Sequence, residues 1–406
     1  MMKRLLAIIP MMFCIVSCLS ELSSESDVFV DFEVIDSPTT PLNTTARTTM
    51  NGVYKVVEPK DVLGDLVVGK WIGRRWCLFS QHDVVFSETA GGSSGDSIKL
   101  SGYIRTVRSG SGTRIRLKLL YNDGAKEIIS GDVPSSIRIK GTTEDGNKIE
   151  LKRLRNSYSP SFTILAHRGG GRNSDRLGMS ENSIPMIEHA SIFGATGVEI
   201  DVTRTRDNKL IVFHDDTFSP RTVQGNYLLG SVENFDLDQI KLFGRLINGE
   251  QIPTLSEALN SVIESTELSF VWLDIKDPNT VDQVIQIQKE ATNHAAAISR
   301  DVKILLGIPS DEVLKAYNNS PSKYSTDILI ELAAETALSF PNCRVWAPRW
   351  TNNITDQEIT KMHNAGKLVF TWTVDVRESI VDYLDRVDGI LSNYPSLVRG
   401  IHDSKY

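Results

Sequence analysis

From about residue 160 to the C-terminus, short apolar runs alternate with longer amphipathic stretches, and this alternation restricts the fold more than any other feature of the chain. The runs fall at 164–168, 197–201, 270–275, 302–307, 328–332, 344–347, 368–372 and 389–392. Eight strands with intervening helices over about 240 residues predict an α/β fold, a TIM (β/α)8 barrel. A doubly wound open sheet is the alternative. Two helix starts are written as capping boxes, Thr254-Leu-Ser-Glu257 and Thr355-Asp-Gln-Glu358, and Gly366 is placed to end the second helix. The first run leads into HRGGGRN, which is neither GxGxxG nor GxxxxGK[ST], so no nucleotide-binding phosphate loop is expected there.

Upstream, the hydrophobic period changes to two. Ile115, Leu117 and Leu119 alternate with Arg114, Arg116 and Lys118, and the runs at 137–140 and 149–152 repeat the pattern. Turn signals at 109–112, 122–124 and 145–146 separate them, so residues 51–157 are expected to form a small all-β sandwich or barrel of unknown role. GKWIGRRW carries Trp71 and Trp76, which read better as core or rim residues than as a binding face. Residues 18–50 are rich in Ser, Thr, Asp and Glu, with too few large apolar side chains to offset chain entropy, and are expected to be a flexible tether.

Lys3 and Arg4 followed by an apolar run from Leu5 to Val16 form the n- and h-regions of a signal peptide over 1–17. Ile15-Val16-Ser17-Cys18 resembles a bacterial lipobox, which makes Cys18 the expected lipidation site. The expected location is the bacterial cell envelope, with a lipid anchor holding the chain at the outer membrane or periplasmic face. The net charge is −7 and no Lys/Arg-rich block occurs, so nucleic-acid binding is not expected. Cys77 and Cys343 are too few and too widely spaced for a disulfide framework.

Chemistry in such a barrel sits where strands end at the C-terminal rim. The ends here are polar: His167-Arg168, Glu199-Ile-Asp201, Asp274-Ile-Lys276 and Trp372. Alternation puts Glu199 and Asp201 on one side of their strand, where two carboxylates repel unless they share a cation or a proton. With Asp274 they would make an all-oxygen site for Ca²⁺ or Mg²⁺. Leu210-Ile-Val-Phe-His214 follows Asp201 too closely for a helical crossover. A hairpin turning at Asp207-Asn208 would pair 201 with 214 and bring His214 to the same site as His167. Two histidines beside a cation and an arginine suit general acid–base work on a phosphodiester. All these residues follow position 160, so the barrel by itself is expected to carry the chemistry.

AHRGG (166–170), SENSIPMIEHA (180–190), GVEIDVTRTRDNKLIVFHDDT (197–217), IPTLSEAL (252–259), LDIK (273–276), FTWTVD (370–375) and DGILSNYP (388–395) resemble the glycerophosphodiester phosphodiesterase family, related to the phosphatidylinositol-phospholipase C-like TIM-barrel phosphodiesterases. The resemblance implies a hydrolase that cleaves glycerophosphodiesters to sn-glycerol 3-phosphate and an alcohol with a divalent metal. It implies that His167 and His214 are the acid–base pair, that Arg168 and Lys276 hold phosphate oxygens, and that Glu199, Asp201 and Asp274 bind the metal. Glu181 would support them, and Trp372 would line the pocket.

Three motifs depart from the family's usual pattern. Asp274 replaces Glu, Asp375 replaces Asn, and Ser392-Asn393 replace Thr-Asp. Relatives of the sphingomyelinase D type use Asp at the first position. A lysophospholipase D, a sphingomyelinase D-like or phospholipase C-like head-group enzyme, or a transferase forming a cyclic phosphate are therefore alternatives. A non-catalytic surface-anchored binding protein is another, but it would be expected to have lost His167, His214 or Arg168.

Overall fold

The computed structural model describes residues 48, 50–72, 75–80, 84–89, 93–94, 97–106, 112–121, 137–143, 146–157, 161–175, 177–225 and 227–405. The signal segment, Cys18, most of the tether and the turns at 109–111 and 122–124 lie outside the described residues.

The N-terminal strands are β1 (Gly52–Glu58), β2 (Leu66–Ile72), β3 (Arg75–Ser80), β4 (Val84–Thr89), β5 (Ser97–Thr106), β6 (Gly112–Tyr121), β7 (Ile137–Thr143) and β8 (Lys148–Arg155). Each pairs antiparallel with the next, and β8 returns to β1, so of the two expected architectures the chain adopts the closed up-and-down barrel. Trp71 and Trp76 are cross-strand partners. Trp76 is buried and meets Tyr54 edge-on at 5.9 Å, as a core residue does. Among the described residues Cys77 and Cys343 are free thiols, as expected.

The second domain is a closed parallel barrel of β9 (Thr163–Ala166), β10 (Gly197–Arg204), β12 (Phe270–Ile275), β13 (Lys303–Ile308), β14 (Ile328–Ile330), β15 (Cys343–Trp346), β16 (Leu368–Thr371) and β17 (Gly389–Ser392). β9 pairs with both β10 and β17, which closes the ring and rules out the open sheet. β11 (Leu210–Val212) is added antiparallel to β10. Both expected capping boxes form, at Thr254 and Thr355, and Gly366 takes the left-handed φ of +71° just past the second helix.

The hairpin differs from expectation by one residue. Val202, Thr203 and Arg204 pair with Val212, Ile211 and Leu210. Phe213, not His214, therefore lies against Asp201, its N–H donating to the Asp201 carbonyl at 3.0 Å. The cause is the turn. Thr205 N–H bonds Lys209 O at 2.9 Å across a three-residue loop, and Asn208 takes φ +58°. Asn tolerates the left-handed region, so a longer loop with one such residue replaces the two-residue turn.

The two barrels share a core. Val53, Val68, Cys77 and Phe79 belong to the same buried cluster as the helix-facing residues of the parallel barrel. The C-terminal helix Pro395–Lys405 is the joint: Pro395 to Ser404 are all buried, and Gly400 lies so close to β3 that a Cβ there would stand 2.3 Å from Ser80 O. Arg399 donates to Gly194 O at 2.9 Å, and Arg155 donates to Ser404 O at 2.8 Å.

Candidate active site

Leu165, Trp272, Leu329, Phe370 and Leu391 form part of one buried cluster inside the parallel barrel. Two residues further along each strand, on the same face, come His167, Asp274, Glu331, Trp372 and Asn393. The interior thus changes from apolar to polar within one layer at the C-terminal rim. A cavity of about 620 Å³ opens there, and His167, Arg168, Glu199, His214, Asp274, Lys276, Glu331, Arg349 and Trp372 are among its walls.

Glu199, Asp201 and Asp274 offer carboxylate oxygens within 4.8 Å of one another. Asp201 and Asp274 are direct neighbours in the β10–β12 ladder. Burial pushes the Glu199 carboxyl well above its ordinary range, and Asp201 reinforces this. Asp274 is also raised, by burial against the pull of Lys276. Burial works the same way on Asp201, but Lys276, His214 and the amide of Asn182 overcome it and hold that group low. Asn182 donates to Asp201 Oδ2 at 2.7 Å. Lys276 lies against two of the three acids, 2.9 Å from Asp201 Oδ1 and in contact with Asp274. Burial disfavours its charge, yet the surrounding carboxylates keep its pKa above the ordinary lysine value. Glu199 Oε1 and Asp274 Oδ1 are buried with no hydrogen-bond partner. Orphaned carboxylate oxygens in an all-oxygen set suit a hard divalent cation.

His167 Nδ1 is 2.6 Å from Asn393 Oδ1. The Asn393 amide nitrogen and backbone N–H both donate to Asp375, so its oxygen is left to accept from His167. The proton therefore sits on Nδ1, and Nε2, 3.9 Å from Glu199, is a free acceptor. Burial lowers the His167 pKa to about 4, although Asp201 opposes this. The two family departures Asp375 and Asn393 thus lie against each other, as an Asp–Asn pair with the two positions exchanged.

Arg168 takes φ +53°. Its N–H donates to Glu199 Oε2 at 2.8 Å, and its guanidinium reaches Glu181 Oε1 at 3.0 Å and His214 Nε2 at 2.8 Å. His214 Nδ1 is 2.7 Å from Asp215 Oδ1. Arg221 ties Asp215 and Glu181 together at 2.6 and 3.3 Å. Trp372 lines the cavity with its indole N–H on Ala347 O and the Arg349 guanidinium 5.5 Å above its ring.

Every barrel residue singled out from the sequence is therefore gathered at one rim. Asp215, Arg221, Arg349 and Glu331 were not anticipated. Glu331 had a readable signal, because it stands two residues after the inward Leu329. The pairing of Arg221 with Glu181 has none, since it joins a loop to a turn 40 residues away.

The model of the glycerophosphoryl diester phosphodiesterase family matches residues 167–397, more than half of the chain. A glycerophosphodiester phosphodiesterase of Caldanaerobacter subterraneus is 28% identical over 255 residues, covering 57% of this chain and 94% of the relative. A probable glycerophosphodiester phosphodiesterase 2 of Mycobacterium tuberculosis is 26% identical over 258 residues, covering 58% and 89%. Among solved structures, an Oleispira antarctica phosphodiesterase in complex with the product sn-glycerol-3-phosphate is 21% identical. That match covers 61% of this chain and 98% of that one, with a TM-score of 0.48. From residue 167 onward, this chain belongs to the glycerophosphoryl diester phosphodiesterase family.

Proposed function

We propose that the chain hydrolyses glycerophosphodiesters to sn-glycerol 3-phosphate and an alcohol, with His167 and His214 as the acid–base pair. The observation that carries this reading is the meeting, at one barrel rim, of three carboxylates with two histidines, an arginine and a lysine. Glu199, Asp201 and Asp274 would hold Ca²⁺ or Mg²⁺, which when bound would polarise the phosphate and neutralise its charge. His167 Nε2 takes a proton from the attacking water as the water oxygen bonds phosphorus. Arg168 turns its guanidinium from His214 to the phosphate oxygens, and Lys276 supplies a second positive charge there. His214, which must carry a proton at Nε2 once Arg168 has left it and is supported at Nδ1 by Asp215, gives that proton to the alcohol oxygen as the P–O bond breaks.

Release of product from glycerophosphocholine, glycerophosphoethanolamine, glycerophosphoinositol and a lysophospholipid, each with and without chelator, tests the reading. Turnover of at least one water-soluble glycerophosphodiester is expected, with loss in chelator and return with Ca²⁺ or Mg²⁺. Full activity in chelator rejects the three-carboxylate assignment. Turnover of the lysophospholipid alone favours a head-group enzyme instead. Lipid anchoring through Cys18, which would keep the enzyme at the envelope, is part of the same proposal and rests on Ile15-Val16-Ser17-Cys18.

A further inference from the structure

Five side chains at the rim close into a ring of hydrogen bonds. Arg168 Nη1 donates to Glu181 Oε1 at 3.0 Å, and Arg168 Nη2 lies 2.8 Å from His214 Nε2. His214 Nδ1 is 2.7 Å from Asp215 Oδ1. Arg221 Nη2 joins the two acids, donating to Asp215 Oδ2 at 2.6 Å and to Glu181 Oε1 at 3.3 Å. A guanidinium only donates, so His214 Nε2 accepts from Arg168 and the imidazole proton sits on Nδ1, facing Asp215. Arg221 itself is not among the cavity walls. Its place in the chain is set locally: Thr222 and Val223 both donate their N–H to Ser219 O at 2.9 Å. Val223 is buried in the apolar cluster that also holds Phe213, the residue before His214. One small core therefore carries both His214 and Arg221.

Glu181 is only 4% exposed, and its Oε1 accepts from Arg168 and Arg221 together. A carboxylate buried that far is costly to leave without a cation. In the reaction above Arg168 turns to the phosphate, and Arg221 is then the cation left beside Glu181. Asp215 depends on Arg221 as well. Burial would raise this carboxyl, and the hydrogen bonds from Arg221 and His214 hold it below its ordinary range. We propose that Arg221 is a positioning residue for both halves of the reaction, releasing Arg168 to the phosphate through Glu181 and orienting the acid His214 through Asp215. The inference rests on the hydrolase reading above and adds a residue that acts from outside the cavity. Both contacts come from one nitrogen, Nη2, so a single ammonium placed there would meet the same need.

Arg221→Met keeps the aliphatic stem and removes the charge. On glycerophosphocholine it is expected to raise KM about tenfold, because Arg168 stays with Glu181, and to lower kcat about tenfold, because His214 loses its support; each is the effect of one hydrogen bond to a charged group. On a nitrophenyl ester of glycerol phosphate, whose leaving group needs no proton, the kcat loss should disappear and the KM rise should remain. Arg221→Lys should recover part of both losses. Equal kcat losses on the two esters overturn the proposal, since a displaced loop harms every substrate alike. Calorimetry with sn-glycerol 3-phosphate, with Ca²⁺ or Mg²⁺ present, supplies a readout apart from turnover. Arg221→Met should bind it about tenfold more weakly than wild type, and equal affinity overturns the release of Arg168. In a Glu181→Gln background Arg221→Met should cost little affinity, because no buried charge then needs it, and a full tenfold loss there also overturns the proposal. If wild type turns over neither ester, the hydrolase reading fails, while the hold of Arg221 on Arg168 still stands or falls on the titration. A wild type that binds no sn-glycerol 3-phosphate overturns both.

Discussion

His214 is held by two hydrogen bonds, to Asp215 and Arg168, and packs into no apolar cluster. Its removal should therefore affect turnover and leave stability alone. His214→Ala is expected to lower kcat by roughly 10²–10⁴-fold with an unchanged melting temperature. Adding His167→Ala should cost far less than the product of the two single losses, because both act in one step. A nitrophenyl ester, whose leaving group needs no proton, should recover most of the His214→Ala loss; an undiminished defect on that ester would assign His214 another role. The exchanged Asp375–Asn393 pair belongs to the same scale. Its hydrogen bonds orient His167, so the two departures preserve a polar support for the ring rather than erode it.

The β10–β11 hairpin is the element that carries His214 to the rim, and its geometry depends on Asn208 at φ +58°. A β-branched side chain is strained there, at a cost of about 1–2 kcal/mol. Asn208→Ile should lower stability by about that amount and reduce kcat by displacing His214, whereas Asn208→Gly should keep both. Thermal melts and steady-state kinetics of the pair check this, and an Asn208→Ile enzyme with wild-type kcat would show that His214 is placed by its partners alone. The hairpin itself was legible, since the spacing between Asp201 and His214 leaves no room for a crossover. Its register was not, because two- and three-residue loops differ only in whether Asn208 enters the left-handed region.

At the scale of the molecule, the expectation that the parallel barrel suffices for chemistry meets a physical obstacle. The C-terminal helix buries one side against β2 and β3, and the two domains share one apolar cluster. A chain of residues 158–406 would expose that side to water and leave Arg399, His402 and Asp403 without their cover. It is expected to melt well below the full chain and to aggregate. Any fraction that folds should retain metal-dependent turnover, because no described residue of the N-terminal barrel lines the cavity. Equal melting temperatures would mean that the shared core contributes nothing. For location, Cys18→Ala should move the protein from the membrane fraction to the soluble fraction or block its maturation. Unchanged membrane attachment would discard Cys18 as the anchor.

The sequence by itself determined the alternation of parallel strands with helices, the polar ends of those strands and the capped helices, because these depend on periodicity and on contacts within a few residues. That the strands close into a barrel rather than an open sheet was decided by the pairing of β9 with both β10 and β17. The sequence also determined that Glu199 and Asp201 share a face, since alternation along a strand is local. Only the tertiary structure decided that Asp375 supports His167 through Asn393 and that Arg168 spans Glu181 and His214. Those relations join strands and loops far apart in the chain, and closure of the barrel is what sets them. The closed N-terminal barrel and the helix buried between the two domains were likewise decided by which apolar surfaces met, and hydrophobic burial is non-directional, so no local pattern names its partner.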